Sequence, residues 1–330
     1  MGVGRHHLHL DSSRRRRLPD LREDGLSDLR TFGLAKAYGT TEALCGIDLE
    51  VATGAVYGLV GPNGSGKTTA LEILAGLRRP SAGRIELGVA QDSVAYCPDD
   101  AEFEPWLTAF EVLDVAAGLL GRPRSRAALG DMLERVGLSD SANRRVGGFS
   151  RGMRSRLGLA AGLIGEPKLL LADEPAAALD PAGRWEIIDL LADSAGSVTV
   201  LVSSHDLADV ERICDCIGVL AKGRLVYQGA VAELLAMAAP ALRVVVRPPA
   251  GRVLAALAAA PWVRSVSEGE PGELRIDVAD PDAAEVHLPG VLADCEVRLV
   301  EVGRAGVSLQ DIFFELTATG PHRHRTARDH

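Results

Sequence analysis

Gly61-Pro62-Asn63-Gly64-Ser65-Gly66-Lys67-Thr68-Thr69 is the stretch whose reading decides the fold. It satisfies the pattern G-x-x-x-x-G-K-[ST] without a mismatch. Ala55–Val60 before it reads as a buried strand, and the run from Ala70 to Ala75 after it reads as a helix start. A strand–loop–helix setting is the context that the pattern requires. Glycines let successive backbone N–H groups turn inward around a phosphate chain, and the following helix contributes the positive end of its dipole. Lys67 is then placed to reach the β- and γ-phosphates of a nucleotide, and the Thr68 hydroxyl to ligate Mg²⁺. A plain glycine-rich turn is the competing reading, and the flanking runs disfavour it.

Two further strand ends complete a phosphate machine. Lys168–Ala172 is an apolar run that ends in Asp173 and Glu174. Asp173 is placed to hold Mg²⁺ opposite the glycine loop, and Glu174 to orient or deprotonate an attacking water. Val198–Ser203 is another buried run, ending at Ser204, His205 and Asp206. A histidine there can hold the γ-phosphate and the Glu174–water geometry. Taken alone, the acidic pair is equally a helix cap and the histidine more often structural. Their order behind the glycine loop favours the catalytic reading.

The rest of the chain bounds the setting. Its 330 residues predict roughly two domains, and a composition 47% hydrophobic but 4% aromatic points to aliphatic cores. A net charge of −9 argues against a sequence-independent nucleic-acid binder. Five scattered cysteines fit a reducing compartment, and Cys214-Asp215-Cys216 lacks the second ligand pair that zinc needs. Val253–Val263 and Leu157–Gly165 are too short and too broken to span a bilayer. The protein is therefore expected to be soluble and cytoplasmic by itself. Residues 1–30, with Arg14–Arg17 and several histidines, and residues 318–330 are expected to be disordered tails.

Residues 31–239 alternate strands and helices, which predicts an α/β P-loop NTPase core. Glu111–Leu120 and Arg126–Val136 are amphipathic helices without intervening strands, which predicts a helical insert over about 99–163. From Pro240 the order changes. Leu242–Val246, Arg252–Ala259, Val263–Val266, Leu274–Val278, Asp282–Leu292 and Glu296–Val300 read as βαββαβ, a small α+β, ferredoxin-like arrangement over 240–317. A helix at Ser308–Leu316 follows.

Gly61–Thr69, Phe149-Ser150-Arg151-Gly152-Met153, Leu170–Pro175, Ala178-Leu179-Asp180 and His205, in that order, resemble the ATP-binding subunit of an ABC transporter over about Thr31–Gly229. The family signature is Leu-Ser-Gly-Gly-Gln, and only Ser150 and Gly152 match it. The resemblance implies two copies closing on ATP and Mg²⁺. In that arrangement Ser150, Arg151, Gly152 and Asp180 of one copy face the nucleotide of the other, and each copy carries both halves of a site that cannot meet internally. It also implies that Tyr38 stacks on adenine, although a buried structural tyrosine is the alternative there and Tyr57 lies close in sequence.

Pro98–Trp106 corresponds to the region that receives the permease in relatives. Ser308–Leu316 is similar to the closing helix of the drug- and antibiotic-export branch. The implied protein is an ATPase, peripheral on the inner face of the cell membrane, that powers export through an integral membrane permease with no nucleic-acid partner. A soluble ABC-type regulator or ribosome-associated factor is the alternative. Two positions depart from the pattern. Asp99 stands where the family usually has Gln, available to Mg²⁺ but repulsive to bare phosphate. Arg151 replaces the first signature glycine.

Overall fold

A computed structural model describes residues 26–236, 241–247, 250–304, 309–310 and 312–313. Both expected tails fall largely outside these residues. One edge needs correcting: the first strand, β1 (Ser27–Tyr38), already begins at Ser27, inside the stretch expected to be a tail. Leu29 and Leu34 anchor it in the core with no exposed surface.

β1 pairs antiparallel with β2 (Thr41–Ile47), β3 (Glu50–Ala52) and β5 (Ala82–Leu87). Between β3 and β5 come β4 (Val56–Val60) and α1 (Lys67–Leu74). β4 lies inside a second sheet with β6 (Val94–Cys97), β7 (Leu169–Asp173), β8 (Thr199–Ser204), β9 (Cys216–Ala221) and β10 (Arg224–Ala230). The order across it is β10-β9-β4-β8-β7-β6, all pairs parallel except β10 with β9.

Every residue of β4, β7 and β8 is buried, as a parallel sheet covered on both faces requires. The pleat divides them between two cores. Val56, Val60, Leu170, Ala172, Val200 and Val202 face one, while Tyr57, Leu59, Leu169, Leu171 and Leu201 face the other. That explains continuous apolar runs in place of alternating ones.

Helices alone fill the chain between β6 and β7, apart from short turns: α2 (Ala109–Leu119), α3 (Arg126–Arg135) and α4 (Arg151–Leu163). α2 starts in a capping box, with the Thr108 hydroxyl accepting from the Glu111 N–H and the Glu111 carboxylate accepting from the Thr108 N–H. The expected insert is thus observed as helices. α5 (Pro181–Asp193), α6 (Leu207–Ile213) and α7 (Val231–Ala236) complete this part.

β11 (Ala241–Val246), α8 (Gly251–Ala258), β12 (Val263–Glu268), β13 (Glu273–Val278), α9 (Pro281–Asp294) and β14 (Leu299–Arg304) follow. The sheet runs β12-β13-β11-β14 and is antiparallel throughout, which is the ferredoxin-like order. Its last strand starts later than Glu296. Cys295 closes α9, and Glu296 occupies a left-handed turn at φ 55, so the chain cannot extend there. Residues 308, 311 and 314–316 of the expected closing helix lie outside the described residues. Leu309 and Ile312 do not join the second unit's core. They are buried in the core of the α/β unit, and the Leu309 N–H donates to Glu211 Oε2 at 3.3 Å.

Candidate functional site

β4, β8 and β7 are neighbours and parallel, so their carboxyl ends meet at one edge of the sheet. Register aligns Val60 with Ser204 and Asp173 with Ser203. The loop after β4 carries Gly61–Gly66, β7 ends in Asp173 before Glu174, and β8 delivers His205. Ligand sites in open parallel sheets form at such strand ends.

The glycine loop is built by close approach. A Cβ on Gly61 would lie 2.3 Å from the Leu220 carbonyl oxygen and 2.5 Å from Ser65 Oγ. Gly66 caps α1 at φ 109 with no side-chain cap, which leaves the first N–H groups of the helix open. Pro62, Asn63 and Gly64 are exposed at the tip, and Thr69 lies on α1 behind Lys67 and Thr68. Ser65 Oγ is buried and has no hydrogen-bond partner among the described residues. A buried, unpaired hydroxyl inside a ring of amides suits an anion.

Lys67 Nζ is buried as well, donating to the Gly61 carbonyl at 2.8 Å and lying 3.3 Å from Glu174 Oε1. These residues fit a polyphosphate. For a divalent ion, Asp173 and Thr68 are suited by chemistry and position: the Thr68 hydroxyl lies beside the Asp173 carboxylate.

Asp173 is 1% exposed. Burial pushes its carboxyl above the ordinary value, hydrogen bonds from Ser203 and Thr68 pull it back, and the Glu174 and Asp99 charges nearby add to the rise. Ser203 Oγ donates to Asp173 Oδ1 at 2.5 Å and accepts the Glu174 N–H at 2.9 Å. That single hydroxyl holds both acidic residues, and the sequence reading missed it. The Ser203-Ser204-His205 run was the available signal. Glu174 has φ 47, a costly conformation for a non-glycine residue, which aims its carboxylate back across the sheet edge. His205 Nδ1 lies 2.8 Å from Glu174 Oε2. The lysine, both carboxylates and the histidine are thus one connected cluster.

The signature segment stands apart. Ser150 caps α4, its Oγ accepting the Met153 N–H at 3.2 Å. Gly152 allows α4 to approach the next loop, since a Cβ there would lie 3.0 Å from Leu179 and 3.1 Å from the Ala178 carbonyl. Ser155, also missed from sequence, donates to the Pro175 carbonyl at 2.8 Å and ties α4 to the chain behind Glu174. Asp180 precedes α5 and is exposed, with no capping bond from its side chain. Among the described residues, no hydrogen bond or ion pair joins Ser150, Gly152 or Asp180 to the glycine loop of the same chain. Arg151 neither points free nor reaches that loop; its Nη2 contacts both carboxylate oxygens of Asp99, at 2.8 and 2.9 Å. The Asp99 carboxylate is therefore engaged by a cation.

Tyr38 and Tyr57 separate clearly. Tyr57 is buried and donates to Gln228 Oε1 at 2.8 Å. Tyr38 is 43% exposed, with Lys36 Nζ 5.1 Å and Arg78 Cζ 5.9 Å from its ring centre. An accessible ring flanked by cations suits a nucleotide base next to phosphates.

Comparison with known proteins agrees with this geometry. The profile of the ABC transporter family matches residues 44–177. A daunorubicin resistance ATP-binding protein of Streptomyces coeruleorubidus, DrrA3, is 35% identical over 86% of this chain and 94% of its own length. The daunorubicin/doxorubicin resistance ATP-binding protein DrrA of Streptomyces peucetius is 32% identical over 88% of this chain and 92% of its own. A solved ATP-binding subunit of an ABC transporter is 26% identical with a TM-score of 0.56, covering 62% of this chain and 91% of that one. The chain belongs to the ATP-binding proteins of ABC transporters.

Proposed function

We propose that two copies of this protein close on two molecules of ATP, hydrolyse them, and thereby drive export through a separate integral membrane permease. The observation that carries this reading is the split layout. Lys67, Thr68, Asp173, Glu174 and His205 converge at one sheet edge, while Ser150, Gly152 and Asp180 sit elsewhere on the same chain with no bond to it among the described residues. A site divided in that way is completed by a second copy in two-fold arrangement.

Lys67 and the open N–H groups of α1 bind the phosphates, and Tyr38 stacks on the base. Mg²⁺, held by Asp173 and Thr68, would neutralise phosphate charge during transfer. Glu174 orients and deprotonates the attacking water. His205, 2.8 Å from Glu174, keeps that carboxylate in position. Closure by the second copy's Ser150 and Gly152 excludes bulk water from the phosphates while the attacking water is held by Glu174. In this reading the permease provides the translocation path and this chain sits on its inner face; among the described residues no helix is long and apolar enough to cross a membrane. Relatives named for daunorubicin resistance and bacitracin transport support an antibiotic-like cargo.

The test uses purified full chain. Wild type is expected to hydrolyse Mg·ATP, and Glu174→Gln to bind it, stop turning over and shift from monomer to dimer in light scattering. Hydrolysis surviving in the variant would overturn the role of Glu174. A variant that stays monomeric with saturating ATP would overturn the sandwich.

A further inference from the structure

Asp99 and Arg151 each depart from the family's pattern, and in this protein they bond to each other. Asp99 follows β6 at the start of the helical insert, and Arg151 is the first residue of α4, far along the chain. Both oxygens of Asp99 contact one guanidinium nitrogen, at 2.8 and 2.9 Å. The arginine side chain is 53% exposed and the carboxylate 40%, so an arriving surface can reach both. A cation in the first turn of a helix opposes the helix dipole and needs a compensating anion. Asp99 supplies one at the helix end that Ser150 caps.

We propose that Arg151 serves two anions in turn: Asp99 of its own chain while the subunits are apart, and the γ-phosphate on the second copy when they close. This rests on the sandwich reading above. Arg151 lies between Ser150 and Gly152, so any phosphate brought to that helix end meets its guanidinium. A guanidinium binds phosphate and carboxylate with the same fork of donors. The Asp99 carboxylate therefore stands in for the phosphate, and closure must exchange one for the other. The pair opposes closure until nucleotide is present. It also makes the two departures a single compensated change: Asp99 without Arg151 leaves an unpaired negative charge near Asp173, and Arg151 without Asp99 is a permanently free phosphate ligand.

The experiment measures the ATP concentration at half-maximal dimer in the full chain carrying Glu174→Gln, with Mg²⁺ present. Adding Asp99→Asn is expected to lower that midpoint about two- to five-fold, the range for an exposed pair of good geometry. Arg151→Gln is expected to raise it, and Arg151→Lys to restore part of the loss. In the Arg151→Gln background, Asp99→Asn should lower the midpoint by clearly less than it does alone. Thermal unfolding of each variant establishes that it is folded.

An unmoved midpoint in Asp99→Asn overturns the exchange. So does a drop of equal size in the Arg151→Gln background, because Asp99 would then act on the nucleotide directly. A Glu174→Gln chain that never dimerises removes the sandwich and the exchange together, whereas normal dimerisation with either of the other results removes the exchange alone.

Discussion

Lys67 Nζ lies 3.3 Å from Glu174 Oε1, with both side chains largely buried. The lysine proposed to grip phosphate is thus neutralised by the carboxylate proposed to activate water, and it donates a further hydrogen bond to the Gly61 carbonyl. A polyphosphate must displace Glu174 from Lys67, and the same displacement leaves the carboxylate free to face the water. In the function proposed above, binding and activation are thereby coupled through one ion pair.

Glu174→Gln is accordingly expected to bind ATP more tightly than wild type, by about two- to ten-fold, as well as losing hydrolysis. Removing the carboxylate removes an internal competitor for a buried cation, and 1.4 kcal/mol corresponds to ten-fold. Equilibrium titration with a fluorescent ATP analogue below the dimerisation range checks this. Equal or weaker affinity would show that the pair does not oppose nucleotide.

Ser203→Ala removes the hydroxyl that bridges Asp173 and the Glu174 backbone. The Glu174 N–H then loses its partner, and an unsatisfied buried group costs about 1–3 kcal/mol. Thermal stability should fall, and turnover should fall further than ATP affinity, because Glu174 and not the glycine loop loses its support. Steady-state hydrolysis beside a binding titration separates the two.

Asp173 supplies a pH-dependent prediction. Burial raises its folded pKa, so the folded protein holds this proton more tightly than the unfolded chain does. Below the unfolded value both states are protonated and the residue contributes nothing. As pH rises from the unfolded value to the raised one, stability is lost, and above the raised value the full cost of the buried charge remains. Asp173→Asn should therefore raise the thermal midpoint of the nucleotide-free protein at neutral pH, by about 2–4 °C for roughly 1 kcal/mol. The gain should vanish on acidification toward the ordinary carboxylate range, and Mg²⁺-dependent nucleotide binding should be lost. A midpoint that falls at neutral pH would sink this account.

Gly66 and Gly64 both have positive φ, at 109 and 78, but only Gly66 is crowded. A Cβ on Gly66 would lie 2.5 Å from the Ala43 carbonyl, while Gly64 has nothing within 4 Å. Gly66→Ala is expected to cost more than about 2 kcal/mol and to abolish ATP binding; Gly64→Ala should cost about 1 kcal/mol of backbone strain. Paired unfolding curves decide it, and equal losses would show that crowding by Ala43 is unimportant.

Much of the site was legible in the chain because its parts are local. Gly61–Thr69 specifies a turn and a helix start by residue type, and Lys168–Glu174 places two carboxylates at a strand end whatever surrounds it. The βαββαβ order of the second unit followed from periodicity and emerged with the expected strand order. The slip at Glu296 had a local cause, a left-handed residue after α9 that no apolar pattern reveals.

What the sequence alone determined was the kind of chemistry: glycines and a helix start for phosphate, a lysine for its charge, carboxylates for metal and water. Only the tertiary structure decided which side chains meet. It paired Asp99 with Arg151, placed the Ser203 hydroxyl between Asp173 and Glu174, exposed Tyr38 while burying Tyr57, and returned Leu309 and Ile312 to the first core. Each of those contacts joins residues far apart along the chain or depends on which sheet face a strand presents. A residue's type carries its chemistry, whereas its partner is set by how strands order and helices pack.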